Sequence, residues 1–184
     1  MKKKKRIGSL EVTEKDRYYL SIAQAVSKRS PCIPLRGGFG AIVVVNDAIV
    51  STGFTGPARG VTHCDKLGGC IRDLTQAKSG HGYEDCPSVH AEENVVINAA
   101  RIGTSVADGI LYLYGENKDG DVIAKEPCKR CRRAIINAGI EWVIEMTPDG
   151  IVGHRVKRWC SRDSNEYKKR MKDVMGVMKT EKGS

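Results

Sequence analysis

Apolar positions fall in two rhythms along this chain. Tyr19, Ile22, Ala23 and Val26 recur three and four residues apart, the spacing of a helix with one buried face, and predict a helix from Thr13 to about Arg29. Thr13 is a capping residue, Glu14 and Asp16 stand near the positive end of the helix dipole, and Ser30-Pro31 stops the run. The second rhythm is short and β-branched. Residues 41–45 and 49–54 read as two strands joined by a turn at Asn46-Asp47. Helical spacing returns over 89–101, with Val95, Val96 and Ala99 inward and Gly103 at the end. A strand is predicted at 110–114, a turn at 117–120 and a short return arm at 122–124. Pro127 suits the first turn of a helix ending at Gly139, and 142–146 is a further strand. Residues 162–178 predict a basic amphipathic helix. Its stripe of Tyr167, Met171, Val174 and Met178 is expected to dock on the domain, with an oligomer contact as the alternative. Helices alternating with strands after an opening hairpin imply a layered α/β domain with a mixed sheet.

One stretch fits neither rhythm. Residues 55–88 are polar, too long for an ordinary connection, and hold Cys64, Cys70, Cys86, His63 and His81. Such a segment is expected to be functional or held by a metal.

Length and charge sharpen this picture. The 184 residues fit one domain with short extensions, and 40% apolar content suffices for a packed core. No apolar run approaches the roughly 20 residues needed to cross a bilayer. The basic start from Lys2 to Arg6 is followed by no apolar segment, so a cytoplasmic protein is expected. The net charge of +9 lies at the ends. Residues 2–6 carry five positive charges, and 155–184 carry ten basic and four acidic residues. Between them sixteen basic and eighteen acidic residues nearly balance. The chain thus reads as a basic tail at 1–12, a domain at 13–154, and a basic helix and tail at 155–184. The ends serve either solubility or attraction to phosphates. Seven cysteines, an odd number with no export signal, favour metal ligation or catalysis over disulfides.

Two short motifs carry chemistry: His90-Ala91-Glu92 and Pro127-Cys128-Lys129-Arg130-Cys131. Either alone is common. Together, each opening a predicted helix, they form the H-x-E and P-C-x-x-C signature of zinc deaminases. Catalytic zinc takes three protein ligands and leaves the fourth position to water. Cys128 and Cys131, three apart at a helix start, present both sulfurs on one face, where the dipole favours thiolate. His90 is the third ligand. Glu92, off the metal, is expected to take the proton from water, protonate a ring nitrogen and hand a proton to the leaving ammonia. A structural site would close with a fourth protein ligand and leave Glu92 without a task.

These motifs resemble the cytidine/deoxycytidylate deaminase superfamily, and within it the deoxycytidylate (dCMP) deaminases. The resemblance covers most of 17–144. It includes Ala25-Val26-Ser27-Lys28-Arg29-Ser30, Gly40-Ala41-Ile42-Val43-Val44, Gly56-Pro57-Ala58-Arg59-Gly60-Val61-Thr62-His63-Cys64, His90-Ala91-Glu92-Glu93-Asn94 and Ile135-Ile136-Asn137-Ala138-Gly139-Ile140. It implies a three-layer α/β/α sandwich around a mixed five-stranded sheet and hydrolysis of dCMP to dUMP and ammonia. It further implies a homo-oligomer, a dimer or hexamer, with a nucleoside triphosphate as possible effector. Thr55 and Ala91 are set among the substrate-binding positions. Thr55 stands in Phe54-Thr55-Gly56, where the family usually has Tyr-Asn-Gly, and the segment 115–126 is longer than usual. For the 5′-phosphate the candidates are Arg36 and Arg59, in loops on either side of the first hairpin. Cys32, His63, Cys64, Cys70, His81 and Cys86 read first as reduced, partly buried thiols and loop histidines; the alternative is a second, structural zinc, with Cys32, Cys64, Cys70 and Cys86 as its preferred ligands. Competing functions are deamination of another free base or nucleotide, deamination of a base in RNA or DNA, and a non-catalytic zinc scaffold on nucleic acid. The last two are disfavoured by only 5% aromatic residues and by Glu92, respectively.

Overall fold

The computed structural model describes residues 6–7, 10–32, 36–78 and 81–181. The lysines at 2–5 and the side chain of Met178 lie outside the described residues. Two short strands, β1 (Arg6–Ile7) and β2 (Leu10–Glu11), pair with each other ahead of helix α1 (Glu14–Ser27). A reciprocal cap starts α1: Asp16 N–H donates to Thr13 Oγ1, and Thr13 N–H donates to Asp16. The hairpin β3 (Gly38–Val45) and β4 (Ala48–Phe54) follows. Its two-residue turn places Asn46 at φ 48° and Asp47 at φ 66°, the left-handed conformation that matches strand twist.

The long polar segment contains only small pieces: β5 (Gly56–Pro57), a 3-10 turn at Cys64–Leu67, and α2 (Ile71–Leu74). It ends at β6 (Ser88–Val89), which pairs with β5. Then come α3 (Ala91–Ile102), β7 (Ile110–Glu116), α4 (Lys129–Asn137), β8 (Trp142–Thr147), β9 (Gly150–Arg155) and α5 (Val156–Glu181).

Five strands form the central sheet in the order β4-β3-β7-β8-β9. Neighbours are antiparallel except β7 and β8, whose parallel pairing needs the crossover through α4. Alternate residues of the central strands face opposite layers, and both are apolar. Ala41, Val43, Leu111, Leu113 and Val143 pack with α3, α4 and the start of α5. Ile42, Val44, Tyr112, Tyr114 and Ile144 pack with Tyr19, Leu20 and Ala23 of α1. This is the expected three-layer sandwich, and burial on both faces explains why the middle strands are continuous apolar runs.

Three expectations are corrected. Strand β9 was not foreseen, because Gly150, Gly153, His154 and Arg155 dilute the apolar pattern of an edge strand buried on one face at most. Pro127 precedes the helix rather than opening its first turn; Cys128 is the cap of α4. The stripe on α5 does not dock: Tyr167, Met171 and Val174 are 64%, 41% and 48% exposed. The helix is anchored one stretch earlier, through buried Val156 and Trp159 and the partly buried Asp163, which share a face at i, i+3 and i+7. Beyond that point the helix carries its stripe away from the sheet.

Close backbone approaches set where α1 and α3 sit. A Cβ added at Gly53 would stand 2.3 Å from Val95 N and 2.7 Å from Ala91 O. Gly53→Ala must therefore push α3 off β4, and urea denaturation should show a loss of about 1–3 kcal/mol. Stability within about 0.5 kcal/mol of the parent, the range of unremarkable surface changes, would contradict this packing.

Candidate functional site

Helices α3 and α4 start at one end of the sheet, flanking β7 in sequence, and both starts carry ligand-type residues as caps. His90 caps α3 and Cys128 caps α4. The two starts are tied together by an ion pair between Glu93, the residue after the first motif, and Arg130 of the second. Asn94 Nδ2 donates to Phe54 O at 2.7 Å and fastens α3 to the end of β4.

His90 Nδ1 lies 3.3 Å from Cys131 Sγ and 3.7 Å from Cys128 Sγ. Tetrahedral zinc with bonds of about 2.3 Å to sulfur and about 2.05 Å to nitrogen puts such atoms about 3.6 Å apart. The three residues therefore fit the ion, and among the described residues they are the only group of three or more whose ligand atoms come within 4.8 Å of one another. Among the described residues no fourth His, Cys, Asp or Glu joins them, which is the arrangement of a catalytic rather than a structural site.

The electrostatics agree. Hydrogen bonding to Cys131, to His90 and to the Cys131 N–H holds the Cys128 thiol down at about 3. Sharing a proton with Cys128, together with burial, pushes Cys131 up. The pair so gives up one proton readily and keeps the second, which a bound metal ion would displace to solvent. The contact with Cys128 raises His90, against the opposing effect of burial. Glu92 is buried, and desolvation pushes its carboxyl above the ordinary range.

His90, Glu92 and Cys128 open onto a cavity of about 420 Å³. Its wall includes Thr55, Arg36 and all four cysteines preferred for a second metal, Cys32, Cys64, Cys70 and Cys86. Their sulfurs do not come within 4.8 Å as a group of three or more. Burial pushes the Cys32 thiol up, and the nearby Cys86 and Cys64 add to the shift.

Two expected substrate residues lie elsewhere. Arg59 lines a separate groove between β4 and α3, where it donates to Asn98 Oδ1 at 2.7 Å. The side chain of Ala91 is fully buried in the core beneath the site. Conversely, Phe39, Arg72, Tyr83, Ile123, Lys125 and Glu126 line the cavity without having been foreseen. Tyr83 packs edge-on against the His90 ring at 5.0 Å, and the Arg72 guanidinium lies over the Tyr83 ring at 4.7 Å. Both belong to the long polar segment, whose spacing carries no period. Only the excess length marked it.

The sequence matches the family model for the cytidine and deoxycytidylate deaminase zinc-binding region over residues 13–147. The chain belongs to this family. A deoxycytidylate deaminase of Schizosaccharomyces pombe is 31% identical over 141 residues, covering 76% of this chain and 39% of that protein. The deoxycytidylate deaminase of Mycobacterium phage D29 is 31% identical over 133 residues, covering 70% and 91%. The dCMP deaminase of cyanophage S-TIM5, solved with dCMP and dUMP, shares the fold with a TM-score of 0.53 at 23% identity, over 74% of this chain and 83% of that one. The chain thus spans about two-fifths of the fission-yeast relative and nearly all of the mycobacteriophage one. As a member of a zinc-binding deaminase family with this His/Cys/Cys group, it binds zinc.

Behind the deaminase motif a charged network joins the P-C-x-x-C loop to α5. Arg162 donates to Glu126 through Nη2 at 2.8 Å and Nη1 at 3.2 Å, and Arg132 holds Asp163 at 3.0 and 3.1 Å. Burial acts to raise Glu126 and Asp163, but the facing guanidinium groups outweigh it and keep both below the ordinary carboxylate range. Their stabilising effect is therefore complete above the unfolded carboxylate values and is lost as pH falls through the lowered ones. The melting temperature should fall below about pH 4. Asp163→Asn should lower it at neutral pH and shallow the acid slope. An acid slope identical to the parent's would remove this network from the account.

Proposed function

We propose that this chain hydrolyses dCMP to dUMP and ammonia, with His90, Cys128 and Cys131 holding zinc and Glu92 moving the protons. The observation that carries the reading is that Glu92, buried and with a raised affinity for protons, opens into the same cavity as a three-residue zinc group. The named relatives support dCMP as the substrate.

Zinc bound there supplies Lewis-acid activation of water. The chain's own residues do the rest. Glu92 accepts the proton of the attacking water, passes it to the pyrimidine ring nitrogen, and later delivers a proton to the departing amine. Its raised proton affinity suits a group that must both take and return a proton near neutral pH. Thr55, Phe39, Tyr83 and Ile123 wall the cavity and exclude bulk water. Arg36, whose Nε pairs with Asp73 at 3.3 Å, is the candidate of the two expected arginines that reaches this cavity, and it is assigned to the phosphate.

Three finer readings belong here. A second, structural zinc on Cys32, Cys64, Cys70 and Cys86 is supported by their shared cavity wall, and needs the loop to close further around the ion. A homo-oligomer, dimer or hexamer, is supported by the exposed apolar stripe on α5. A triphosphate effector is carried only by the family resemblance. The catalytic domain is proposed at 13–154, between basic extensions at 1–12 and 155–184, and the family match at 13–147 lies within it.

The test is ammonia release from dCMP, CMP, deoxycytidine, dCTP, guanine and a cytosine-containing oligonucleotide. Turnover of dCMP above the others supports the reading. Turnover of the oligonucleotide alone transfers the site to polynucleotide, and no turnover by zinc-loaded protein ends the enzymatic reading.

A further inference from the structure

The structure assigns to Lys125 the recognition of the substrate's phosphate, so that the long segment before Pro127 is a specificity arm. This inference rests on the nucleotide reading above and adds a residue to it.

Three cations line the metal cavity, Arg36, Arg72 and Lys125, and they are not equivalent. Arg72 is occupied as a staple. Its Nη1 donates to His81 O at 2.6 Å and Gly82 O at 3.0 Å, its Nη2 donates to Lys78 O at 3.1 Å, and its face rests on Tyr83. Arg36 is partly engaged, through its pair with Asp73. Lys125 makes no ion pair or hydrogen bond among the described residues.

The arm that bears it is braced. Asn117 Oδ1 accepts from Asp119 N and Asp121 N, both at 2.9 Å, which closes the tip. Ile123 N donates to Gly115 O at 2.9 Å, and Glu116 pairs with Val122, so the return arm lies against β7. Ala124 is buried and Glu126 is clamped by Arg162, which fixes the backbone on both sides of Lys125. The arm also packs on the turn that carries Arg36. A Cβ at Gly37 would lie 2.3 Å from Ile123 Cδ1. Arg36 and Lys125 therefore come from two neighbouring segments of one cavity wall.

A nucleoside monophosphate carries close to two negative charges at neutral pH. Its base must reach Glu92 and the zinc group at the cavity floor, so its phosphate stands towards the mouth. An ammonium without another partner among the described residues, on a braced backbone and on the same cavity wall as Arg36, supplies the phosphate contact. The arm's extra length has a role on this view: it supplies a cation that a shorter link would leave out.

The experiment compares kcat/KM for dCMP and deoxycytidine in zinc-loaded full-length protein, for the parent, Lys125→Ala and Lys125→Arg. The expected result is a fall in the dCMP-to-deoxycytidine ratio of roughly tenfold or more in Lys125→Ala, carried by KM for dCMP, with most of it restored in Lys125→Arg. A merely structural lysine would move both substrates together. A ratio unchanged in Lys125→Ala, with the parent active on dCMP, overturns this inference and leaves the deaminase reading standing. A parent inactive on both substrates overturns the dCMP reading, and the inference with it, before any variant is made.

Discussion

Glu92→Gln will retain zinc and fold but lose deamination by about 10³-fold or more. The substitution keeps the shape of the side chain and removes only its capacity to carry protons. Two carboxylates line the cavity, and their surroundings push them apart. Burial raises Glu92, while Arg162 overcomes burial to hold Glu126 below the ordinary range. Glu126 is thus a committed anion, locked to α5, and cannot replace Glu92 as proton carrier. Glu92→Ala should lose as much activity, with some additional loss of stability from the cavity left behind. The measurements are kcat on dCMP, zinc per chain by elemental analysis, and circular dichroism. A Glu92→Gln protein retaining a tenth of parental activity would require a different proton carrier.

Removal of zinc will abolish activity and lower the melting temperature by roughly 10 °C. An ion present at a thousandfold its dissociation constant adds about 4 kcal/mol to the folded state, and each kcal/mol shifts a chain of this size by about 2–4 °C. The structure says where that energy enters. Cys131 is fully buried at the packed end of α4, and without a cation the second proton of the thiol pair has no reason to leave. Chelation should be reversible on adding zinc. Cys131→Ala should lose metal and activity together, and zinc should not restore it. Counting released zinc also reads the loop cysteines: two ions per chain support the second site, and one removes it. A chelated chain with an unaltered melting temperature would mean that the three residues do not hold metal.

Much of the proposed catalytic group was legible because it is local. His90, Glu92, Cys128 and Cys131 each sit at a helix start, and helix starts are encoded by caps and periodicity within a few residues. The α1 cap, the two-residue hairpin turn and the inward face of α3 were legible for the same reason. The strands of the middle sheet announced themselves as apolar runs because both of their faces are covered. Strand β9 did not, since an edge strand with two glycines owes its pairing to β8 rather than to its own pattern.

The sequence by itself placed the proposed metal ligands and proton carrier at two helix starts and determined the layered sheet, since each depends on residues close along the chain or on which faces must avoid water. Only the tertiary structure decided which cations share the cavity with them. Arg36 and Lys125 both line it, from segments nearly ninety residues apart, while Arg59, equally plausible by spacing, turns to Asn98 in another groove. Likewise, only packing decided that α5 is held by Val156 and Trp159 and leaves its more regular stripe to solvent. Periodicity specifies a face, but what that face meets depends on where the sheet ends.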